Sequence, residues 1–304
     1  MDDTTRAKWL LVMCGFYWGV NWPLIKIGLT GFTPWTYRLI VFSVGVVTLM
    51  AGVKFSGRKL TVPRGFMTWL HLFMSCILNI AAFSLLSTFA MLTATTSRVA
   101  VVSYSFPVWA CLLAWLILGE KLRGAAALGL ALCACGLVVL IYPVIDSSAM
   151  IGLGLSLGSA MTWAVGTVYS KLVRIPGDML TNTAWQVVIA AVAVLVCTLA
   201  FQGWPSFEPV PVEAIGAAIA NGFLSAVSYF LWYYVIERLP AMTAALGSLT
   251  SPAVGVLTAA LILGERPPLL DMIGFAMIFG AAVCAILQPR DRTPVPTPEP
   301  EIHK

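Results

Sequence analysis

Apolar residues in this chain come in runs too long for the core helix of a soluble domain and too continuous for a half-buried strand. They cover approximately 9–28, 34–53, 67–89, 95–118, 124–142, 150–172, 180–202, 213–236, 240–263 and 269–287. A bilayer core about 30 Å thick takes roughly 20 apolar residues per helix, so each run is predicted to cross as an α-helix. A transmembrane β-barrel would alternate apolar and polar positions every second residue, and these runs do not. No stretch between the runs has room for a soluble domain. The expected fold class is an all-α membrane protein with ten transmembrane helices.

Composition agrees with the pattern. Of 304 residues 60% are hydrophobic and 10% charged, with a mean hydropathy of +0.92, whereas soluble domains carry about 25% charged residues. The first run follows Asp2 and Asp3, is long, and precedes nine others, so it reads as a retained helix and not as a cleaved signal. Seven cysteines (Cys14, Cys76, Cys111, Cys133, Cys135, Cys197 and Cys284) all fall inside predicted helices, as small packing residues. Their odd number argues against a disulfide framework, and Cys133 with Cys135 is too little for a metal site.

Charge adds orientation. With the N-terminus cytoplasmic, one side of the membrane collects 14 of the 18 lysines and arginines, leaving Lys26, Arg38, Arg98 and Arg266 on the other. This asymmetry predicts cytoplasmic N- and C-termini. It also accounts for the net charge of +5 without nucleic acid. The tail Pro289–Lys304 is proline-rich and polar, and residues 290–304 read as a disordered cytoplasmic tail.

One offset runs through the whole sequence. Trp18 and Trp163, Lys26 and Lys171, Ser103 and Ser248, Pro107 and Pro252, Gly119 and Gly264, Glu120 and Glu265, and Gly129 and Gly274 are each separated by 145 positions. Residues 1–145 and 146–289 therefore read as two copies of a five-helix unit. Because five crossings are odd, the second copy starts on the opposite face, and the copies are inverted about a pseudo-two-fold axis in the membrane plane. Such a pair can rock about a central site, as secondary transporters do.

Two five-helix repeats, each with a fourth span carrying a proline and ending in Gly-Glu-basic (PVWACLLAWLILGEKL from Pro107, PAVGVLTAALILGERP from Pro252), resemble the drug/metabolite transporter superfamily and its EamA-type ten-helix exporters. The resemblance covers almost the entire chain. The tryptophan-rich first helix GFYWGVNWPLIKIG and the aromatic eighth helix are similar to the YddG-type aromatic amino acid exporters of bacterial inner membranes. That likeness implies outward transport across the inner membrane.

The residues themselves suggest a pathway. Pro107 and Pro252 remove the N–H that would bond the carbonyls of Ser103 and Ser248, and Pro23 does so for Gly19. Each proline is a candidate kink or hinge. Either a serine or threonine seals the freed carbonyl, or the carbonyl faces a wet cavity. In the third helix His71, Ser75, Asn79 and Phe83 recur every four residues. In the eighth, Asn221, Ser225, Ser228, Tyr229 and Trp232 form a similar stripe. Helix–helix glue explains such stripes as well as a pathway does. His71 sits near the cytoplasmic end of its helix and reads as interfacial. Gly15 and Gly19 form a GxxxG packing pair, while Trp18 and Trp163 lie near mid-depth, where an indole N–H wants a partner.

Absences narrow the chemistry. All 13 carboxylates lie in loops, tails or helix ends, so the membrane interior offers no acid for a proton or a permanent cation. There is no GxxxxGK[ST] phosphate loop, HExxH or CxxC pair, and an enzyme is not expected. No cofactor is called for; membrane lipids are the expected surroundings and a single chain the expected unit.

The substrate-binding set predicted on these grounds is Trp18, Asn21, Asn79, Phe83, Ser103, Tyr104, Trp163, Ser225, Tyr229, Trp232 and Ser248. Rings would receive a flat side chain, and amides, hydroxyls and freed carbonyls a zwitterionic backbone, in an uncharged cavity suited to aromatic amino acids. Three alternatives stay open: a broad exporter of amino acids and small amphipaths, a carrier of phosphorylated metabolites, and a channel or lipid-interaction protein. The second needs cavity-facing cations, and only Arg38 and Arg98, near the outer ends of their helices, come close.

Overall fold

The computed structural model describes residues 3–61, 63–93, 96–119, 124–142, 150–173, 175–204, 209–240, 243–244, 250–264, 266 and 268–286. Among them there is no strand, and every regular element is helical. The elements are α1 (Asp3–Gly28), α2 (Pro34–Phe55), α3 (Phe66–Cys76), a π turn (Ile77–Ala81), α4 (Ala82–Thr93), α5 (Thr96–Ser103), α6 (Phe106–Leu118), α7 (Gly124–Ile141), α8 (Met150–Leu172), α9 (Met179–Phe201), α10 (Val212–Arg238), α11 (Thr250–Leu263) and α12 (Leu269–Ile286).

Six segments are each long and apolar enough to cross a membrane: Asp3–Gly28, Pro34–Phe55, Phe66–Thr93, Met150–Leu172, Met179–Phe201 and Val212–Arg238. Their packing is inside out relative to a soluble protein. Phe55, Leu116, Phe201 and Leu261 are exposed, whereas Arg38, Asn79, Thr88, Gln186, Asn221 and Ser228 are buried. Lipid accepts the apolar exterior, and polar side chains collect where other side chains can meet them. This is a multi-pass membrane protein.

Local signals set the helix ends. Thr33 caps α2 by accepting from the Thr36 amide at 3.3 Å, with Pro34 supplying a preset first turn. Asp178, 145 positions on, caps α9 in the same way through the Thr181 amide at 3.0 Å. Each such cap contributes about 1 kcal/mol. Gly119 ends α6 in the left-handed conformation at φ 67°, and its offset partner Gly264 follows α11 at φ 70°. A side chain there would be strained, which explains why the Gly of each Gly-Glu-basic motif is a glycine.

The fourth span departs from the expected single helix. Instead of a kink inside one helix over 95–118, α5 stops at Ser103, Tyr104 and Ser105 form a turn, and α6 starts at Phe106. Pro107 lies in the first turn of α6, where its missing N–H costs nothing. The Ser105 amide bonds the Val102 carbonyl at 3.0 Å, a tightened last turn. Pro252 likewise falls in the first turn of α11. Pro23 differs, since α1 runs through it unbroken. The Gly19 carbonyl that it frees lies against Gly255 of α11, 3.6 Å from where a Cβ would stand. The third span also deviates, because Ile77–Ala81 inserts a π turn between α3 and α4. Glu120 and Glu265 lie outside the described residues.

Helix pairs follow the 145-residue offset. α1 packs on α10 and α11, while its partner α8 packs on α4 and on α5 and α6. α2 pairs with α9, α7 pairs with α12, and the α2–α10 contact has its counterpart in α9 against α3 and the π turn. Exchanging the halves maps each of these pairs onto another or onto itself. α2 and α9 run antiparallel: Arg58 beyond the end of α2 forms an ion pair with Asp178 at the start of α9, whereas Gln202 at the end of α9 bonds Thr36 at the start of α2 at 3.0 Å.

Small residues allow the closest approaches. A Cβ at Gly15 would fall 1.9 Å from the Thr250 hydroxyl, and one at Gly19 would fall 2.7 Å from the Ser251 carbonyl. The GxxxG pair therefore seats α1 on α11. Gly222 does the same for α10 on α2, with the Val41 carbonyl 2.7 Å from its Cβ position.

Candidate functional site

These helices enclose a central cavity of about 60 Å³, with walls from α1, α2, α4, the α5–α6 break, α8, α10 and the first turn of α11. Trp163 of α8 is the hub of its aromatic wall. Its ring centroid lies 5.0 Å from Trp18 at an interplanar angle of 85°, 4.8 Å from Phe83, 5.9 Å from Phe106 and 6.4 Å from Tyr229. Edge-to-face and offset pairs at these distances contribute about 0.5–1.5 kcal/mol each beyond the area that they bury. Trp163 Nε1 is buried without a hydrogen-bond partner among the described residues.

Two contacts in this cavity join residues of the same offset. Trp18 and Trp163 touch edge to face, and the hydroxyls of Ser84 and Tyr229, also 145 apart, lie 3.2 Å from each other. Under a two-fold relation only residues beside the axis can touch their own counterparts, so both pairs mark where such an axis would pass.

Polar groups occupy the remaining wall. Asn21 Nδ2 donates to the Ser225 hydroxyl at 3.2 Å, and Asn221 Nδ2 reaches the Asn21 carbonyl at 3.5 Å. The side-chain oxygens of both asparagines are buried with no partner among the described residues. Trp22 Nε1 donates to Tyr104 OH at 2.6 Å, and Tyr104 OH lies 3.1 Å from the Ser251 hydroxyl. Ser103 meets Ser159 of α8 at 3.2 Å, so a serine pair accompanies the α5–α6 break.

The expectation of an uncharged cavity is corrected by Arg38. This residue of α2 is only 5% exposed and lines the cavity. Its Nε donates to the Thr88 hydroxyl at 2.5 Å, and its guanidinium carbon sits 5.6 Å from the Tyr37 ring centroid. Among the described residues no carboxylate pairs with it. Counting positions along α2 put Arg38 near the outer end of its helix, but the surrounding helices extend past it and enclose it.

The cavity takes Trp18, Asn21, Phe83, Ser103, Tyr104, Trp163, Ser225 and Tyr229 from the predicted set. It does not take Asn79 or Trp232. Asn79 falls in the π turn, donates to the Ser75 carbonyl and the Ser170 hydroxyl at 3.4 and 3.3 Å, and lies where a Gly166 side chain would be. Trp232 is fully buried behind the aromatic wall, 5.3 Å from Trp18 and 5.7 Å from Trp163. Ser248 lies outside the described residues. His71, in the middle of α3 and outside the cavity lining, bonds Tyr169 OH at 2.6 Å.

Sequence reasoning missed Trp22, Arg38, Ser84, Ser87, Phe106, Asn221 and Ser251 as lining residues. The π turn explains two of them. Its extra residue rotates the face of α4 relative to α3, so a stripe counted in fours through Asn79 and Phe83 keeps only Phe83 in the wall and misses Ser84 and Ser87, which turn inward beside it. Asn221 lay in the recognised stripe of the eighth span, one turn before Ser225, and that spacing was signal enough to include it.

The chain matches the EamA-like transporter family model twice, over residues 5–142 and 150–287, and it belongs to that family. It is similar to an uncharacterized transporter, YoaV, of Bacillus subtilis, with 25% identity over 86% of this chain and 90% of that protein. A probable amino-acid metabolite efflux pump of Escherichia coli is 26% identical over 86% of this chain and 88% of its own length. A probable terminal-alkyne amino-acid exporter of Streptantibioticus cattleyicolor is 24% identical, over 90% and 91%. A crystal structure shares the fold with a TM-score of 0.77 at 20% identity, covering 93% of this chain and 99% of that one.

Proposed function

We propose that this protein is a secondary transporter that exports chiefly aromatic amino acids across the bacterial inner membrane by alternating access about the central cavity. In this reading ten spans form two inverted five-helix repeats, residues 1–145 and 146–289, with both termini and the tail cytoplasmic and one chain as the working unit. The observation that carries it is the contact of Trp18 with Trp163 in the cavity wall, since it places equivalent residues of the two halves at one site. The antiparallel α2–α9 pair, bonded at both ends through the offset-related caps Thr33 and Asp178, supports the inversion.

In the structure Trp18 and Trp163 close on each other in the cavity wall, which in this reading is a contracted state. Widening separates Trp18 from Trp163 and gives a flat side chain the ring faces that the two tryptophans now offer each other. The α5–α6 break and the first turn of α11, at Pro107 and Pro252, are where the halves change angle, because two short helical pieces rotate more readily than one continuous helix.

The names of the two amino-acid relatives favour a second, broader reading, an exporter of amino acids and their metabolites with aromatic substrates as a subset. Counterflow in proteoliposomes separates the two. Labelled tryptophan is held against a panel of twenty unlabelled amino acids. Competition confined to phenylalanine, tyrosine and tryptophan supports the narrow reading, competition by aliphatic residues supports the broad one, and no competition by any overturns both.

A further inference from the structure

We propose that Arg38 is the carboxylate receptor of the substrate site, and that the side-chain oxygens of Asn21 and Asn221 receive the ammonium group of the same molecule. The inference rests on the reading of the cavity as an amino acid site and goes one step further, by assigning each end of the zwitterion to named atoms.

Three buried groups of the cavity wall have unused bonding capacity, and their signs are complementary to a free amino acid. Arg38 is 5% exposed, bonds only the neutral Thr88 hydroxyl through Nε, and has no carboxylate partner among the described residues. A guanidinium in a membrane interior is costly unless something compensates it. The stacked Tyr37 ring offers part of that compensation. A planar guanidinium whose Nε is already engaged still has N–H groups for a carboxylate, the geometry for which arginine is best suited.

The opposite demand comes from the asparagines. Asn21 and Asn221 are 8% and 1% exposed, both line the cavity, and each uses its amide nitrogen within the protein while its oxygen accepts from nothing among the described residues. An orphaned buried acceptor carries a desolvation cost that a donor can remove. An ammonium supplies three N–H donors and needs no countercharge from the protein, because the substrate carries its own. A single cation also distinguishes this site from one for phosphate esters, whose two negative charges would ask for more.

The test compares tryptophan with its two half-molecules in proteoliposome counterflow: indole-3-propionate, which retains the carboxylate, and tryptamine, which retains the ammonium. Losing one partner of a buried charged hydrogen bond costs more than about tenfold in affinity. In the wild type tryptamine is expected to compete at least about tenfold less well than tryptophan, with indole-3-propionate between them. In Arg38→Met that preference for tryptophan over tryptamine collapses, and in Arg38→Lys it partly returns. Thr88→Val, which removes only the hydroxyl accepting from Nε, is expected to reduce the preference, and it serves if the Arg38 variants do not fold.

Equal competition by tryptamine and tryptophan in the wild type overturns the proposal, as does a preference that survives in Arg38→Met. If another amino acid is carried in place of tryptophan, the same comparison is made with its own decarboxylated amine. If no amino acid competes at all, the reading of the site fails together with this inference. A wild type that carries tryptophan without preferring it to tryptamine defeats the inference alone.

Discussion

Trp18 and Trp163 stand 145 positions apart and meet edge to face, ring centroids 5.0 Å apart, in the wall of the central cavity. Under the proposed two-fold relation, residues equivalent by duplication touch only beside the axis, so this contact puts that axis at the cavity. It also makes the site the place where the two halves press on each other.

The first prediction concerns that contact. Trp163→Ala removes ring contacts to Trp18, Phe83, Phe106 and Tyr229 at once. In the proposed reading a substrate ring takes over one of these contacts, so at about 0.5–1.5 kcal/mol per aromatic pair the KM for an aromatic substrate rises about 2- to 10-fold, and Trp163→Phe falls between. Initial rates in proteoliposomes measure it.

Trp232 behaves differently. Because it is fully buried behind the wall, Trp232→Ala opens an internal void and costs about 3–5 kcal/mol of stability. Thermal unfolding in detergent shows the loss, and any fall in transport affects aromatic and aliphatic substrates alike. A selective loss of aromatic transport with unchanged stability would put Trp232 in the site itself.

Close packing of α1 on α11 gives a third test. Gly19→Val forces a side chain against the Ser251 carbonyl and Val254, and overpacking of this kind costs about 1–3 kcal/mol or more. Gly154→Ala is the control, since nothing lies within 4 Å of a Cβ there. Unfolding temperature separates them, the first falling and the second holding.

The helix-ending glycines provide a fourth. Gly119→Ala and Gly264→Ala each place a methyl group on a left-handed residue, φ 67° and 70°, at about 1 kcal/mol or somewhat more. Equal losses in both variants are expected from the offset. A loss at one position alone would show that the two motifs end their helices differently.

Much of the fold was legible because its signals are local and repeated. Apolar runs and the Gly of each Gly-Glu-basic motif announce helices and their ends through chemistry within a few residues. The candidate site was legible as a set of residue types, and eight of the eleven substrate-binding predictions line the cavity. The misses have physical causes. A π turn has no sequence signature of its own, so Asn79 was counted inward and Ser84 and Ser87 were not. The burial of Arg38 depends on how far neighbouring helices extend past it, which the hydropathy of its own helix does not encode. The α5–α6 break is a matter of degree, since proline at 107 permits either a kink or a new helix.

The central claim, two halves inverted about an axis through the cavity, is tested most directly by sidedness. Lys59 and Trp204 are offset partners, and both are exposed. In a background with the seven native cysteines replaced, Lys59→Cys and Trp204→Cys are each labelled with a membrane-impermeant maleimide on intact cells and on inside-out vesicles. The account predicts that position 204 reacts from outside the cell and position 59 only from the cytoplasmic face; reaction of both from the same face would contradict it.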